Sequence, residues 1–121
     1  MPIHATINKN SGVAVITCEG RVASHELTKF YESLENHNTR PMEAILDLSA
    51  AELSVSAKYI RVLATRKAVF KRIAIVAPEP CTYGLSRMYE LLSSEKQEVR
   101  VFRHQDQAQL WLASRGNVRL K

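Results

Sequence analysis

Three serines that follow a short apolar segment are the first residues whose chemistry stands out. Ser49 directly follows the segment Ala44-Ile45-Leu46-Asp47-Leu48, and Ser54 and Ser56 precede an amphipathic stretch. A serine hydroxyl at the start of a helix can accept a hydrogen bond from the first turn, contact an anion or carry a phosphate. Capping is the usual role, and the helix dipole also favours a phosphate there, so the two roles are compatible.

An acid and a thiol are the candidates for catalysis. Asp47 lies at the end of the same apolar segment, and Cys81 follows Pro80 where another helix is predicted to begin. Free N–H groups at a helix start lower the pKa of a thiol and promote the reactive thiolate. No base or second cysteine adjoins Cys81 in the sequence, so an inert thiol is the simpler interpretation. An enzyme that uses Cys81 or Asp47 stays open as an alternative.

The sequence lacks the patterns of the common metal and cofactor sites. Its four glycines form neither GxGxxG nor GxxxxGK, and its two cysteines form no CxxC pair. The histidines lie far apart and have no metal-ligand spacing: His4, His25, His37 and His104. We therefore expect no metal and no cofactor.

The charge and composition are those of an ordinary globular protein with a basic surface. Of the 121 residues, 45% are hydrophobic and 24% charged, and the net charge is +5. The basic residues are spread along the chain, and the densest group, between Arg66 and Arg72, fits a solvated helix face better than an anion-binding surface. We expect no nucleic-acid partner.

The distribution of apolar residues predicts that the protein does not span a membrane. The longest apolar run, Ile73 to Ala77, is far shorter than the roughly 20 residues that span a bilayer. The first residues also lack the basic and apolar regions of a secretory signal. We expect a cytoplasmic protein.

The hydrophobic periodicity predicts strands and helices in the order ββαβαβαβα. Turn residues and prolines separate the segments. The predicted strands cover 3–7, 13–18, 44–48, 72–77 and 99–102; the predicted helices begin at Ser24, near Ser54 or Ser56, near Thr82 and near Asp106. Gly20 is expected to end the second strand, Ser24 to cap the first helix, and Leu92 to point inward from the third.

This order predicts an α/β fold with one domain over residues 1–121. Strands that alternate with single helices pair in parallel, so only the first strand can be antiparallel in the mostly parallel five-stranded sheet. We expect the later strands to be buried on both faces and residues 113–121 to form a loose basic tail. Ligands of such sheets bind at the carboxyl ends of the strands. The binding or phosphorylation candidates there are Ser49, Ser54, Ser56, Pro78, Cys81 and Tyr83.

The chain resembles the SpoIIAA-like (STAS/SEC14-type) family of small bacterial domains along nearly its whole length. The segments that carry the resemblance are Gly20-Arg21-Val22, Ala44-Ile45-Leu46-Asp47-Leu48-Ser49, Ile73-Ala74-Ile75-Val76, Tyr83-Gly84-Leu85-Ser86-Arg87-Met88-Tyr89, Val101-Phe102-Arg103 and Ala108-Gln109-Leu110-Trp111-Leu112. The resemblance implies a STAS-like arrangement of four helices on the sheet and a regulatory or binding role.

The resemblance also implies specific candidates for regulation. In the sigma-factor antagonists of this family, a partner kinase phosphorylates a serine in an Asp-Ser-Ser-Gly-Leu type motif. Ser56 lies nearest to that serine, but here the stretch is Ser54-Val55-Ser56-Ala57-Lys58, without the Asp and the Gly. The likeness to SEC14 proteins implies an apolar ligand.

We therefore predict a non-enzymatic binding or regulatory module that binds a protein partner, or a small apolar or anionic ligand, at the carboxyl edge of the sheet. An apolar ligand would require a closed cavity of at least roughly 300 Å³ near Tyr83. A homodimer, through a helix face or the edge strand, is compatible with the sequence, which does not determine it.

Overall fold

The computed structural model describes residues 3–8, 13–37, 42–66, 70–93 and 97–113. Its elements have the predicted order ββαβαβαβα. They are β1 (Ile3–Asn8), β2 (Val13–Ala23), α1 (Ser24–His37), β3 (Met42–Ser54), α2 (Ala57–Ala64), β4 (Phe70–Val76), α3 (Pro80–Ser93), β5 (Glu98–Phe102) and α4 (Gln105–Ala113).

The five strands form one sheet in the order β1-β2-β3-β4-β5. β1 is antiparallel to β2, and every later pair is parallel, as the strand–helix alternation predicts. Because neighbouring parallel strands are joined by right-handed crossovers that all step in one direction, α1, α2 and α3 lie on the same face. Because β2 to β5 run in the same direction, their carboxyl ends meet at one edge of the sheet.

The two faces of the sheet are covered unequally. One face packs against α1, α2 and α3 around a large core that includes Ile16, Leu48 and Ile73. The other face packs against α4, whose Ala108 and Leu112 contact a smaller cluster. The expectation of strands buried on both faces is confirmed for β4 but wrong for β2 and β5, whose buried residues alternate with more exposed ones.

β2 and β3 both extend beyond their predicted ends. Gly20 does not end β2: it adopts a left-handed backbone with φ of 72°, and the strand continues to Ala23. β3 continues to Ser54 because its later residues pair with β2, from Ala50 opposite Glu19 to Ser54 opposite Ala23. β4 pairs with β3 only as far as Val76 opposite Asp47. The β2–β3 pair therefore projects past the rest of the sheet.

The structure also describes the start of α1, the orientation of Leu92 and the end of α4. Ser24 begins α1 rather than preceding it, and the Glu26 carboxylate accepts the Ala23 N–H at 2.8 Å. Leu92 is 46% exposed, so its predicted inward position is wrong: on α3, Tyr89 and Ser93 are buried and Leu92 lies beside that stripe. Ala113 ends α4, and the rest of the expected tail lies outside the described residues.

Candidate functional site

Ser56 is the N-cap of α2. Its backbone is extended, with φ of −89° and ψ of 162°, and its Oγ accepts the Tyr59 N–H at 3.0 Å. The side chain is exposed, and the first turn of α2 contains Lys58 but no acid. A negative group on Ser56 would therefore meet free N–H groups and a cation rather than a carboxylate.

Asp47 and Ser49 are joined by local hydrogen bonds inside β3, at the point where this strand passes the end of β4 and its register with β2 shifts. The Asp47 Oδ1 accepts the Ser49 N–H at 2.9 Å and the Ser49 hydroxyl at 2.5 Å. Asp47 therefore accepts hydrogen bonds from a neighbouring residue, which is a structural role, although it lies within β3 and does not end it. Ser54 is exposed at the last position of β3, two residues before the Ser56 cap.

The loop after β4 brings Pro78 and Cys81 to the same edge. Both residues are exposed, and Cys81 lies in the first turn of α3. The Glu79 carboxylate accepts the Thr82 N–H at 2.9 Å and so caps α3. Hydrogen bonds from the Thr82 and Cys81 backbones hold the pKa of Glu79 below its ordinary value. The α3 start is thus already occupied by an ionised carboxylate.

Two contacts join the segments of this edge. The Leu53 N–H lies 3.5 Å from the hydroxyl of Thr82, which is 1% exposed, so the projecting end of β3 meets the start of α3. The guanidinium of Arg103 lies 4.3 Å from the centre of the Tyr83 ring, a cation–π distance that links α3 to the loop after β5. The predicted site residues thus lie along one edge: Ser49 and Ser54 are in β3, Ser56 caps α2, and Pro78, Cys81 and Tyr83 lie in the loop after β4 and the first turn of α3.

Sequence reasoning missed the residues that hold this edge together. Thr82 and Glu79 are the main ones, and Glu79 had a signal: an acid before Pro80 fits the common pattern of a capping residue followed by proline at the first helical position. Thr82 had none, because its role depends on how far β3 extends.

One cavity lies in the core, and Leu53 is part of its wall. It has a volume of about 40 Å³ and apolar walls that include Cys18, Leu27, Phe30 and Leu85. Tyr83 does not line it, and its volume is far below the roughly 300 Å³ of a typical ligand site. Among the residues that the structure describes, this cavity beside α3 is therefore smaller than an apolar ligand would require.

Cys18 lies in the wall of that cavity and is fully buried, as its apolar strand predicts. Burial, with a smaller effect of the Asp47 charge, raises the pKa of its thiol to about 12. In the described residues no group of three or more His, Cys, Asp or Glu side chains is arranged to hold a metal. None of the helices there is long and apolar enough to cross a membrane.

The chain is similar to a solved structure from Shewanella loihica PV-4, an uncharacterized protein of the DUF3478 family with a SpoIIAA-like fold. The match covers 91% of each chain with a TM-score of 0.60. This chain has a SpoIIAA-like fold. The sequence identity is 19%, so the likeness establishes the SpoIIAA-like fold and not the chemistry. No family model and no curated protein matches the chain.

The SpoIIAA-like fold confirms the arrangement that the sequence resemblance implied. In this fold, residues at the carboxyl edge are positioned by the starts of the helices and the ends of the strands.

Proposed function

We propose that this protein is a non-enzymatic binding module whose protein partner docks on the exposed edge formed by the end of β3 and the start of α2. The observation that carries the proposal is the exposure of Ser49, Ser54 and Ser56 along this edge, none of which lines the core cavity. A row of exposed polar side chains without a cavity suits a macromolecular surface better than a small ligand.

The groups that already cap the first turns of the helices also favour a protein partner over a free anion. Glu79 already caps α3, and the Glu26 carboxylate lies in the first turn of α1 and accepts a backbone N–H. These carboxylates would repel an anion at both positions. α2 differs because its cap is the neutral Ser56. A phosphate on Ser56 would control docking at this edge without competing with an existing carboxylate.

The non-enzymatic part of the proposal is supported by the partners of the two candidate catalytic groups. Asp47 Oδ1 accepts two hydrogen bonds from Ser49. Glu79, the carboxylate beside Cys81, is held ionised by backbone hydrogen bonds, which makes it a poor base for the thiol. Asp47 thus has a structural task that opposes a catalytic one, and the carboxylate next to Cys81 has a lowered pKa, which weakens it as a base.

Site-specific crosslinking in the native host tests the proposed docking edge. A photoreactive amino acid at Ser49 or Ser56 should give a discrete crosslinked product, and the same group at Gln109, exposed on α4, is the matched control. The Ser56→Asp change should reduce the product from Ser49. Equal crosslinking at Gln109 and Ser49, or none at either serine, would contradict the proposal.

Native mass spectrometry of the purified protein tests the choice between partner and small ligand. We expect a mass that corresponds to the chain with no bound small molecule. A stoichiometric apolar compound that co-purifies would overturn the choice of a protein partner.

A further inference from the structure

The outer edge of β5 has backbone groups that face away from the sheet. Within the described part of the chain β5 is the last strand of the sheet. The Phe102 carbonyl accepts the Ala77 N–H at 2.8 Å, so Phe102 directs its backbone groups toward β4. Because successive residues of a strand alternate, Glu98 and Arg100 do the same. Val99 and Val101 therefore direct their N–H and C=O groups outward.

A groove of about 220 Å³ lies beside the outward groups of Val99, and its walls also include the polar residues Glu90, Gln97, Glu98 and Arg100. Leu91 of α3 lines it on one face of the sheet, Trp111 of α4 lines it on the other, and Val99 lies between them. Leu91 is 66% exposed. An open strand edge between two apolar flanks is a template for a further strand.

We propose that the occupant is β5 of a second copy of this chain, paired antiparallel about a two-fold axis at Val99. In that register Val99 of each copy exchanges both backbone hydrogen bonds with Val99 of the other, and Glu98 lies opposite Arg100 on both sides of the axis. Opposite charges directly across two strands are stabilising. The β5 sequence Glu98-Val99-Arg100 is thus complementary to itself.

The alternative symmetric registers lack this complementarity. An axis at Arg100 would place the two arginines directly opposite each other, and an axis at Val101 would place Arg100 opposite Phe102. The Val99 register also sets the two grooves side by side, so that Leu91 and Trp111 of each copy flank the paired β5 strands. The resulting interface is isologous and closed, as in most dimers. It lies on a different edge from the proposed docking site and does not depend on it.

Sedimentation equilibrium on variants of β5 tests the proposal. The wild type should be a dimer. Val99→Pro removes an outward N–H while leaving the hydrogen bonds to β4 intact, and it should raise the dimer Kd at least tenfold. Arg100→Glu places like charges opposite each other twice per dimer and should raise the Kd by about tenfold or more. The double variant Glu98→Arg/Arg100→Glu exchanges the two charges and should restore dimer formation; because it also removes the Glu98 partner of Arg72, its fold is checked by circular dichroism.

A pair of exposed leucines provides the matched control. Leu91→Ser should weaken the dimer, and Leu110→Ser, on an equally exposed residue outside the groove, should not. Circular dichroism checks that each variant is folded. A wild-type protein that stays monomeric up to about 1 mM, a dimer unaffected by Val99→Pro, or a double variant as weak as Arg100→Glu would each overturn the proposal.

Discussion

Ser56 combines a structural hydrogen bond with exposure to solvent, and the two properties can be separated by substitution. Its Oγ accepts the Tyr59 N–H at 3.0 Å. We expect Ser56→Ala to lower the free energy of unfolding by about 1 kcal/mol, because the first turn of α2 loses its cap. Ser56→Asp should cost little, since a carboxylate also caps a helix and interacts favourably with its dipole. Urea unfolding of the purified variants measures both effects.

Ser54 supplies the control for this measurement. It is an exposed serine two residues away, at the end of β3 rather than at the cap. Ser54→Ala should change the free energy of unfolding by less than about 0.5 kcal/mol. If Ser54→Ala and Ser56→Ala lowered the free energy of unfolding equally, the cap would make no specific contribution to stability.

The two cysteines should differ sharply in reactivity because one is exposed and one is fully buried. Cys81 is exposed at the start of α3, and Cys18 is 0% exposed with a thiol pKa raised to about 12. At neutral pH, a thiol-specific reagent such as Ellman's should label one thiol per folded chain, and Cys81→Ser should abolish this fast phase. Labelling of both thiols should require denaturant; rapid labelling of both in the folded chain would contradict the burial of Cys18.

At the scale of the elements, a buried arginine of β4 holds the end of α4 against the sheet. Arg72 is 6% exposed and donates to Glu98 at 3.0 Å and to the carbonyls of Trp111 and Leu112, both at 3.4 Å. Its guanidinium also lies 4.1 Å from the centre of the Trp111 ring. Arg72 thus satisfies carbonyls at the end of α4 and fixes that helix to the sheet.

We therefore expect Arg72→Ala to destabilise the protein by about 2–4 kcal/mol, because buried acceptors are left without their donor. Trp111 is the only tryptophan in the sequence, so its fluorescence reports on α4 directly. The emission should shift to longer wavelength as the ring becomes more exposed. Lys71→Ala, at the exposed neighbouring position of β4, is the control and should change neither quantity. An unshifted emission in Arg72→Ala would show that α4 is held mainly by its apolar face.

The sequence predicted the order and type of the elements because those depend on local periodicity. Strand lengths were less predictable, since β3 continues past Leu48 only because β2 runs alongside it. The candidate serines and Cys81 lie at the carboxyl edge of the sheet, where topology alone predicted them to lie. The contacts that join this edge, Leu53 with Thr82 and Tyr83 with Arg103, connect residues at least 20 positions apart, and no local pattern reports such distances.

At the scale of the whole molecule, the buried ionisable groups predict that stability falls in alkaline solution. The pKa of Cys18 rises from 9.0 to about 12 on burial. Burial, and then the neighbouring Tyr89, raises the pKa of Tyr31 well above 10.0. Both groups are neutral below about pH 9 in the folded and the unfolded chain, so their contribution is fully present there. Above that pH the unfolded chain loses protons that the folded chain retains.

The free energy of unfolding should therefore decrease as the pH rises from about 9 toward 12. Cys18→Ala removes one of the two groups, so its stability, although lower at pH 7, should fall less steeply than that of the wild type. Tyr31→Phe should flatten the dependence further at the upper end of the range. Cys81→Ala is the control, because that thiol is exposed to solvent in the folded chain as in the unfolded one. Urea unfolding at pH 7, 9 and 10.5 measures the slopes. If the free energy of unfolding fell with the same slope in the wild type and in both buried-site variants, other groups, such as lysines, would govern the alkaline loss of stability.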